Sequence, residues 1–471
     1  MDTKDNFLNK VCQEIKYKPA RRGIAEELEL HIEDIKEDYL KSGIKENEAE
    51  EKAVAQMGHA EEIGKKLNKI HRPKLDWKLL ILILILIGFG IVVAILRDRQ
   101  PLKTTNYTGS TIVYLVIGII LSIGIYFFDY KKIKKYSNLI WIIATIIMVV
   151  PFLVKGPMIN YVQYMRIFNV TIFPPAVALP LYLISFIGNI INYDKNKKFK
   201  ANILGINFSF NKDFLKILMF SIISLILMLN IPSTENALIL GIAYLIISTI
   251  KIMQDKEGRI IKLVSLYGII AIFAIVVICT LIASPFRLQR IISSFNPESD
   301  PEGAGYTGML QKEILENAKL IGEAETDIMS DEQSIINSES HFTFIFLIGK
   351  TGLLIAGILL LVIILTSIKL IINSRIIKEE YGKFLIIGIS TLYILQSLAT
   401  VLMNVNLGIQ ANVDLPFVTY GGVYLIVNLL SIALILSIYR RKDINEYDEN
   451  TKRSIIGLFM EKIGAKDKIK G

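Results

Sequence analysis

Two arginines, Arg287 and Arg290, follow directly on an apolar run in the stretch SPFRLQR at 284–290. A guanidinium offers two parallel N–H donors to a phosphate or pyrophosphate, so this pair suits the headgroup of a phosphorylated lipid. Pairing with carboxylates of the same segment, or with ordinary lipid headgroups, suits them equally. Phe295-Asn296-Pro297 comes next, followed by the acidic Asp300-Pro301-Glu302-Gly303-Ala304-Gly305-Tyr306. A second candidate is LPFVTYGG at 415–422, which opens the last apolar run. Proline, two glycines and a tyrosine at a helix start allow close backbone approach and leave N–H groups for an anion or headgroup. The same small residues also serve helix–helix packing. A third stretch is Phe173-Pro174-Pro175, whose prolines predict an irregular helix entry.

All three border long apolar runs, and those runs dictate the architecture. The chain has 471 residues, 52% of them hydrophobic and 21% charged, with a mean hydropathy of +0.47. That is too apolar for a soluble protein of this length, which has ~45–50% apolar residues. Uncharged runs such as 79–96 recur about ten times, each long enough to cross a ~30 Å hydrocarbon slab as a helix. The pattern predicts spans near 79–96, 112–128, 139–154, 172–191, 214–229, 237–250, 263–283, 342–368, 384–403 and 417–439. The expected fold is therefore an all-α polytopic membrane protein with about ten transmembrane helices.

Charge orients the spans. The formal net charge is +9, and basic residues gather in 129–138, 192–213, 251–262, 369–383 and the tail after Tyr439. The segment 284–341 instead carries 11 acidic and 4 basic residues. Such alternation points to cytoplasmic basic loops, not to a nucleic-acid partner. Both termini are then cytoplasmic, and 284–341 becomes the one large extracytoplasmic loop. Residues 1–75 read as a small cytoplasmic helical domain, because Leu8, Val11, Cys12, Ile15, Ile24, Leu28, Ile32 and Ile35 recur at three- and four-residue steps. Residues 441–471 form a basic cytoplasmic tail.

Several function classes drop out. Cys12 lies in the polar head and Cys279 inside an apolar run, so they cannot pair. The chain has no phosphate-binding GxxxxGK[ST] loop and no HExxH. His31, His59, His71 and His341 are too scattered to form a metal site. The polar first 70 residues lack the apolar core of a cleavable signal peptide.

The ten-span layout, the outer loop and LPFVTYGG at 415–422 together resemble the SEDS family (shape, elongation, division and sporulation; the FtsW/RodA/SpoVE group). RIISSFNPESDPEGAGYTG at 290–308 is similar to the family's R-x-x-x-F-x-N-P-x-x-D-x-x-G-x-G-Y pattern, and HFTFIFLIGKTG at 341–352 to its D-F-I-F…G run. The resemblance covers about 77–440. The preceding 75 residues look like the helical prefix found ahead of several Gram-positive membrane proteins, including clostridial SEDS relatives, where such prefixes are thought to serve regulation or protein contacts.

The resemblance implies cell-wall assembly in division, shape or sporulation. Members polymerise lipid II as peptidoglycan glycosyltransferases, usually beside a class B penicillin-binding protein. Arg287, Arg290, Asn296, Tyr306, Thr419, Tyr420, Gly421 and Gly422 become candidate substrate-binding residues. The family's loop-end Asp, its expected base, falls on His341 when the run ending at Gly352 is matched without gaps and on Thr343 when the match is shifted; with Glu339 two residues from the first position, Glu339 and His341 are the candidate catalytic groups. The family's Q-P-S-E segment corresponds to Phe173-Pro174-Pro175-Ala176, without its acid. Two versions follow: a polymerase using Glu339 or His341, or a degenerate scaffold that regulates the process. A precursor flippase is the alternative from another class, which would favour charges inside the spans. A divalent cation is a further expectation, since pyrophosphate chemistry often recruits one.

Overall fold

The structure, a computed structural model, describes residues 4–71, 74–99, 106–154, 158–159, 162–163, 165–167, 170–194, 196–203, 206–230, 233–254, 285–329, 334–338, 340–420 and 422–442. It divides into two compact units.

The first unit is built from four helices: α1 (Lys4–Glu14), α2 (Lys18–Lys41), α3 (Glu46–Met57) and α4 (Ala60–His71). Their apolar stripes close on a common core that includes Phe7, Val11, Ile15, Ile24, Leu28, Ile32, Ala53 and Ile63. Spacing by three and four places those side chains on one face of each helix. The α3 helix stops at Gly58, whose φ of +94° suits glycine and few other residues.

The second unit runs from Asp76 to Ile438. Its long helices are α5 (Trp77–Asp98), α6 (Tyr107–Phe127), α7 (Ser137–Leu153), α8 (Pro174–Ile191), α9 (Lys212–Asn230) and α10 (Thr234–Gln254). Among the described residues, the longer helices from 285 to 376 are α11 (Pro285–Phe295), α12 (Tyr306–Glu316), α13 (Thr343–Thr351) and α14 (Leu353–Ile376), with a single turn of helix at Ile335–Ser338. The last two are α15 (Glu380–Asn404) and α16 (Gly422–Arg440). Among the described residues, eight helices are long and apolar enough to cross a membrane: α5, α6, the helix over Tyr130–Pro151 that contains most of α7, α8, α10, α14, α15 and α16. The chain is a multi-pass membrane protein of helical fold. The expected span at 214–229 is helix α9, and the expected span at 263–283 lies outside the described residues.

Helices α8 and α15 form the centre of the bundle, with 72% and 61% of their apolar windows buried, against 11% for α6. Helix α6 therefore turns most of its surface outward, where Ile112, Val113, Val116 and Ile120 suit lipid tails. Polar groups fix the helix ends. Asp76, only 3% exposed, accepts from Leu79 N at 3.3 Å and from the Asn373 amide at 2.7 Å, and pairs with Lys369 Nζ at 2.9 Å. Helix α5 is thereby tied to α14. At its far end, Asp98 accepts from Tyr107 N (2.8 Å) and Thr108 N (2.9 Å), capping α6.

Three details differ from the hydropathy map. The run at 342–368 is two helices rather than one, broken at Gly352 with φ +95°. The last span begins at Gly422, because 415–419 folds as a non-helical turn around Pro416 and Phe417, the latter at φ +67°. Short antiparallel hairpins, Met158–Ile159 with Val162–Gln163, Met165–Ile167 with Val170–Ile172, and Lys198–Ile203 with Ile206–Asn211, fill the α7–α8 and α8–α9 connections. The alternation of KFKANI and INFSFN is a period-two pattern that a search for apolar blocks passes over.

Removing one member of a buried ion pair strands the other. Asp76→Ala should lower stability by about 3–5 kcal/mol, read as a lower thermal unfolding midpoint in detergent, while Asp76→Asn should lose less because one oxygen still accepts.

Candidate functional site

The 285–342 segment packs back onto the chain between α15 and α16 through a series of specific hydrogen bonds. Gln410 N donates to Ser294 Oγ at 3.0 Å, and the Gln410 amide donates to Gln311 Oε1 at 2.8 Å. Asn406 donates to the Gly308 carbonyl at 2.8 Å. Within the segment, Asp300 accepts from Ala304 N, and a side chain at Gly305 would collide with the Pro297 carbonyl, so NPESDPEGAG folds as a tight turn. Asn404, fully buried, is the hub that sets the end of the segment. Its amide donates to the carbonyls of His341 (2.9 Å) and Thr400 (2.8 Å), while its oxygen accepts from Ile345 N (3.0 Å). Ser340 donates to Asp414 Oδ1 at 2.8 Å.

The LPFVTY turn supplies the opposite wall. Thr419 Oγ1 accepts from Leu415 N at 2.9 Å, and Thr419 N donates to the Leu415 carbonyl at 3.0 Å, which closes the turn on itself. It lies directly on α5 at Gly90, where any Cβ would meet the Phe417 carbonyl. About two turns farther along α5 stands Arg97, with no exposed surface. Its guanidinium sits over the Phe346 ring at 4.5 Å and over the Tyr420 ring at 4.7 Å. Tyr420 in turn meets Tyr107, the first residue of α6, edge to face at 4.5 Å. Helix α5, the start of α6, α13 and the turn thus converge on one cation.

His341 lies under the influence of two such cations. Burial pushes its pKa down to about 3, and the positive charges of Arg290 and Arg97 push in the same direction. The imidazole is neutral at physiological pH. It can accept a hydrogen bond, but its low basicity makes it a weak general base. Arg290 makes no side-chain hydrogen bond or ion pair among the described residues. Glu235, in the first turn of α10, accepts from Asn412 N at 3.2 Å and stands within electrostatic reach of Arg290. The site therefore offers a delocalised cation held between aromatic rings, a second cation beside it and a neutral imidazole, an arrangement receptive to an anion.

Of the residues singled out in the sequence, Arg290, His341 and Tyr420 come together here. Arg287 belongs to α11, and Glu339 and Gly421 lie outside the described residues. Asn296 lines a separate groove of about 490 Å³ with Glu298, Lys312, Val405 and Asn406. Tyr306 is exposed at the start of α12, the Thr419 hydroxyl is buried within its own turn, and Gly422 faces the Tyr114 ring. Sequence reasoning missed Arg97, Glu235, Asn404 and Asp414. Arg97 ends an apolar run and reads as an ordinary flanking charge, and only its contact with Phe346 and Tyr420 in the fold sets it apart. Among the described residues no group of three or more His, Cys, Asp or Glu could hold a metal ion. The donors present at this site are guanidiniums, which suit an anion and not a divalent cation.

Residues 77–444 match the FtsW/RodA/SpoVE family of cell cycle proteins. The chain belongs to that family. Similar relatives include proteins named probable peptidoglycan glycosyltransferase FtsW: from Wigglesworthia glossinidia brevipalpis, 23% identical over 73% of this chain and 86% of the relative, and from Nitrosomonas europaea, 25% identical over 79% and 94%. Among solved structures, a chain of a peptidoglycan synthase complex that coordinates polymerization and crosslinking superposes with a TM-score of 0.59 at 17% identity. It covers 78% of this chain and 98% of the other. The rod shape determining protein RodA of Thermus thermophilus gives 0.52 at 15% identity, over 78% and 97%. These likenesses establish a common membrane fold, and the FtsW/RodA/SpoVE resemblance read from the loop and LPFVTYGG stands.

The depressed pKa gives a direct check. In a sample with labelled histidine, the His341 ring should stay neutral from pH 7 down to pH 5, whereas Arg290→Met removes a nearby positive charge and should raise its pKa; protonation of His341 near pH 6.5 in the unaltered protein would contradict the site as described.

Proposed function

We propose that this protein acts in cell-wall assembly as a glycosyltransferase that polymerises lipid II. The observation that carries the reading is the pair of cations, Arg97 and Arg290, whose charges both bear on His341 next to the Tyr420 turn, in a chain of the FtsW/RodA/SpoVE family. The donor sugar's polyprenyl pyrophosphate lies with its tail along the bundle and its phosphates at the two guanidiniums. Departure of that pyrophosphate concentrates negative charge on its oxygens, and preset cations stabilise it most at that moment. No metal ion enters this account, because charge neutralisation falls to the arginines.

The site faces the extracytoplasmic side, as the acidic 284–341 segment and the basic loops opposite imply. A class B penicillin-binding protein is the proposed partner, a reading supported by the similarity to a synthase complex that couples polymerization to crosslinking. The prefix unit serves protein contacts or regulation on the cytoplasmic side. A regulatory scaffold without polymerase activity is the second reading, favoured by the neutral imidazole where the family carries its loop-end Asp. Flippase action gains little, since the charged pair Asp76–Lys369 is already matched within the helix bundle.

The test is purified protein with labelled lipid II, with and without a candidate transpeptidase. Glycan strands should form, and Arg97→Met or Arg290→Met should each slow their formation by about 10²–10³-fold, the usual cost of one charge-stabilising donor. Absence of product under every pairing, with envelope shape still dependent on the protein, would establish the scaffold instead. For sidedness, Glu302→Cys is the better reporter than Gly305→Cys, because Glu302 is exposed and Gly305 has no room for a side chain. An impermeant thiol reagent should label it from outside the cell.

A further inference from the structure

A polymerase must hold the strand it extends as well as the pyrophosphate it expels, and the 285–342 segment carries a hollow separate from Arg97 and Arg290. The groove beside Asn296, about 490 Å³, falls within the ~300–1,000 Å³ typical of small-molecule sites. Three parts of the chain wall it: the end of α11 with the turn that follows (Phe295, Asn296, Glu298), α12 (Lys312, Glu316) and the turn after α15 (Asn406). These walls are fixed to one another. A Cβ on Gly308 of α12 would come within 2.7 Å of Pro297 Cγ, so α12 lies close against the Pro297 turn. Asn406 donates to the Gly308 carbonyl at 2.8 Å, which ties in the third wall. The Asn296 carbonyl accepts from Ser299 N at 3.1 Å and from Ser299 Oγ at 2.7 Å, setting the turn after α11. The Asn296 side-chain amide, by contrast, makes no hydrogen bond among the described residues, and Phe295 is 63% exposed.

Charge and polarity narrow what such a groove can take. Two carboxylates, Glu298 and Glu316, face one ammonium, and Lys312 Nζ is already paired with Glu298 Oε1 at 2.6 Å. The excess of acid repels phosphate, so the groove does not duplicate the site at the arginines. A lipid tail or an apolar helix is equally unsuited, because it would strip water from these charges. A sugar chain suits each component. The C–H face of a pyranose covers an aromatic ring, its hydroxyls donate to carboxylates, and an N-acetyl carbonyl accepts from a side-chain amide. Position agrees with composition. Phe295 ends α11, and Arg290 stands five residues earlier on that helix, about 7.5 Å along its axis. That is the reach of one or two sugar rings.

We infer that this groove is a glycan-binding subsite, in which Phe295 and the Asn296 amide hold sugar units of the strand while transfer proceeds at the two arginines. It rests on the glycosyltransferase reading above and adds to it the place where the strand lies.

The experiment uses the full chain in vesicles and two separate probes: a soluble peptide-free oligosaccharide of alternating N-acetylglucosamine and N-acetylmuramic acid, and a polyprenyl pyrophosphate. The unaltered protein should bind the oligosaccharide saturably. Phe295→Ala should weaken that binding by about tenfold, and Asn296→Ala by about threefold to tenfold. Both variants should keep polyprenyl pyrophosphate affinity within about threefold, and Phe295→Trp, which retains a ring, should bind the oligosaccharide better than Phe295→Ala. Arg290→Met should show the reverse pattern, weaker for the pyrophosphate and unchanged for the sugar. With labelled lipid II, Phe295→Ala should yield shorter strands. Absence of saturable oligosaccharide binding overturns the subsite, as does undiminished binding in both Phe295→Ala and Asn296→Ala, or binding in Phe295→Trp as weak as in Phe295→Ala. Loss of a candidate transpeptidase's binding in Phe295→Ala, with oligosaccharide affinity intact, would make the groove a protein-docking surface and overturn it too. Strands made without any oligosaccharide binding sink this subsite alone, whereas oligosaccharide binding without strands under any pairing leaves the subsite and sinks the polymerase reading.

Discussion

Burying a guanidinium at the end of a membrane helix is the constraint around which this protein is arranged. A charge removed from water without compensation is costly, and the neighbours of Arg97 supply that compensation. Two aromatic rings cover the planar cation, one from α13 and one from the turn before α16. Neither ring can take its place unless the turn closes tightly and α13 is separated from the spanning helix that follows. Thr419 closes the turn, and Gly352 makes the separation, its φ of +95° allowing α13 to leave the axis of α14. Gly90 then admits the Phe417 carbonyl to the surface of α5. Three local features that look like packing details therefore serve one electrostatic end.

The same logic explains why the long segment before α13 is ordered against the bundle. Its hydrogen bonds run to Asn404 at the end of α15 and to Asn406, Gln410 and Asp414 in the connection between α15 and α16. Each bond joins side chain to backbone or side chain to side chain across parts of the chain distant in sequence. Such bonds are weak singly, but an unsatisfied buried amide is costly, so the set is mutually enforcing. Asn404 is the clearest case, since one amide satisfies three backbone groups on two elements. The result is that His341 and Arg290 are presented at a defined position rather than on a loose loop.

Much of the fold was legible because hydropathy reports spans directly. Runs such as 79–96 and 384–403 became α5 and α15 with end points within a few residues. What escaped were breaks inside apolar runs. The run at 342–368 reads as continuous because Gly352 contributes nothing to hydropathy, yet its backbone conformation splits the helix. The site was legible in part for a related reason. Arg290 and Tyr420 stand in stretches with unusual residue types, so spacing and similarity draw attention to them. Arg97 stands at the end of α5, where a single arginine is the ordinary pattern of a membrane helix, and only three-dimensional contact with Phe346 and Tyr420 distinguishes it. Asp414 escaped because it lies beside a recognisable motif and not within one, and Asn404 because an asparagine at a helix end reads as a cap.

Helix α5 connects these observations. At its first turn Asp76 is locked to Lys369 and Asn373 of α14, and at its last turn Arg97 is clasped by Phe346 of α13 and Tyr420. Helices α13 and α14 are joined at Gly352, so both ends of α5 are tied to one continuous stretch of chain through charged groups of opposite sign. An apolar helix among lipid tails has little to fix its depth or rotation, because one leucine face is as good as another. Charges at both ends remove that freedom: sliding or turning α5 would pull Asp76 from its partners and Arg97 from its rings together. Charged residues that ordinarily burden a membrane helix here specify its position. The site at one end inherits its geometry from an ion pair at the other, on the opposite side of the bundle.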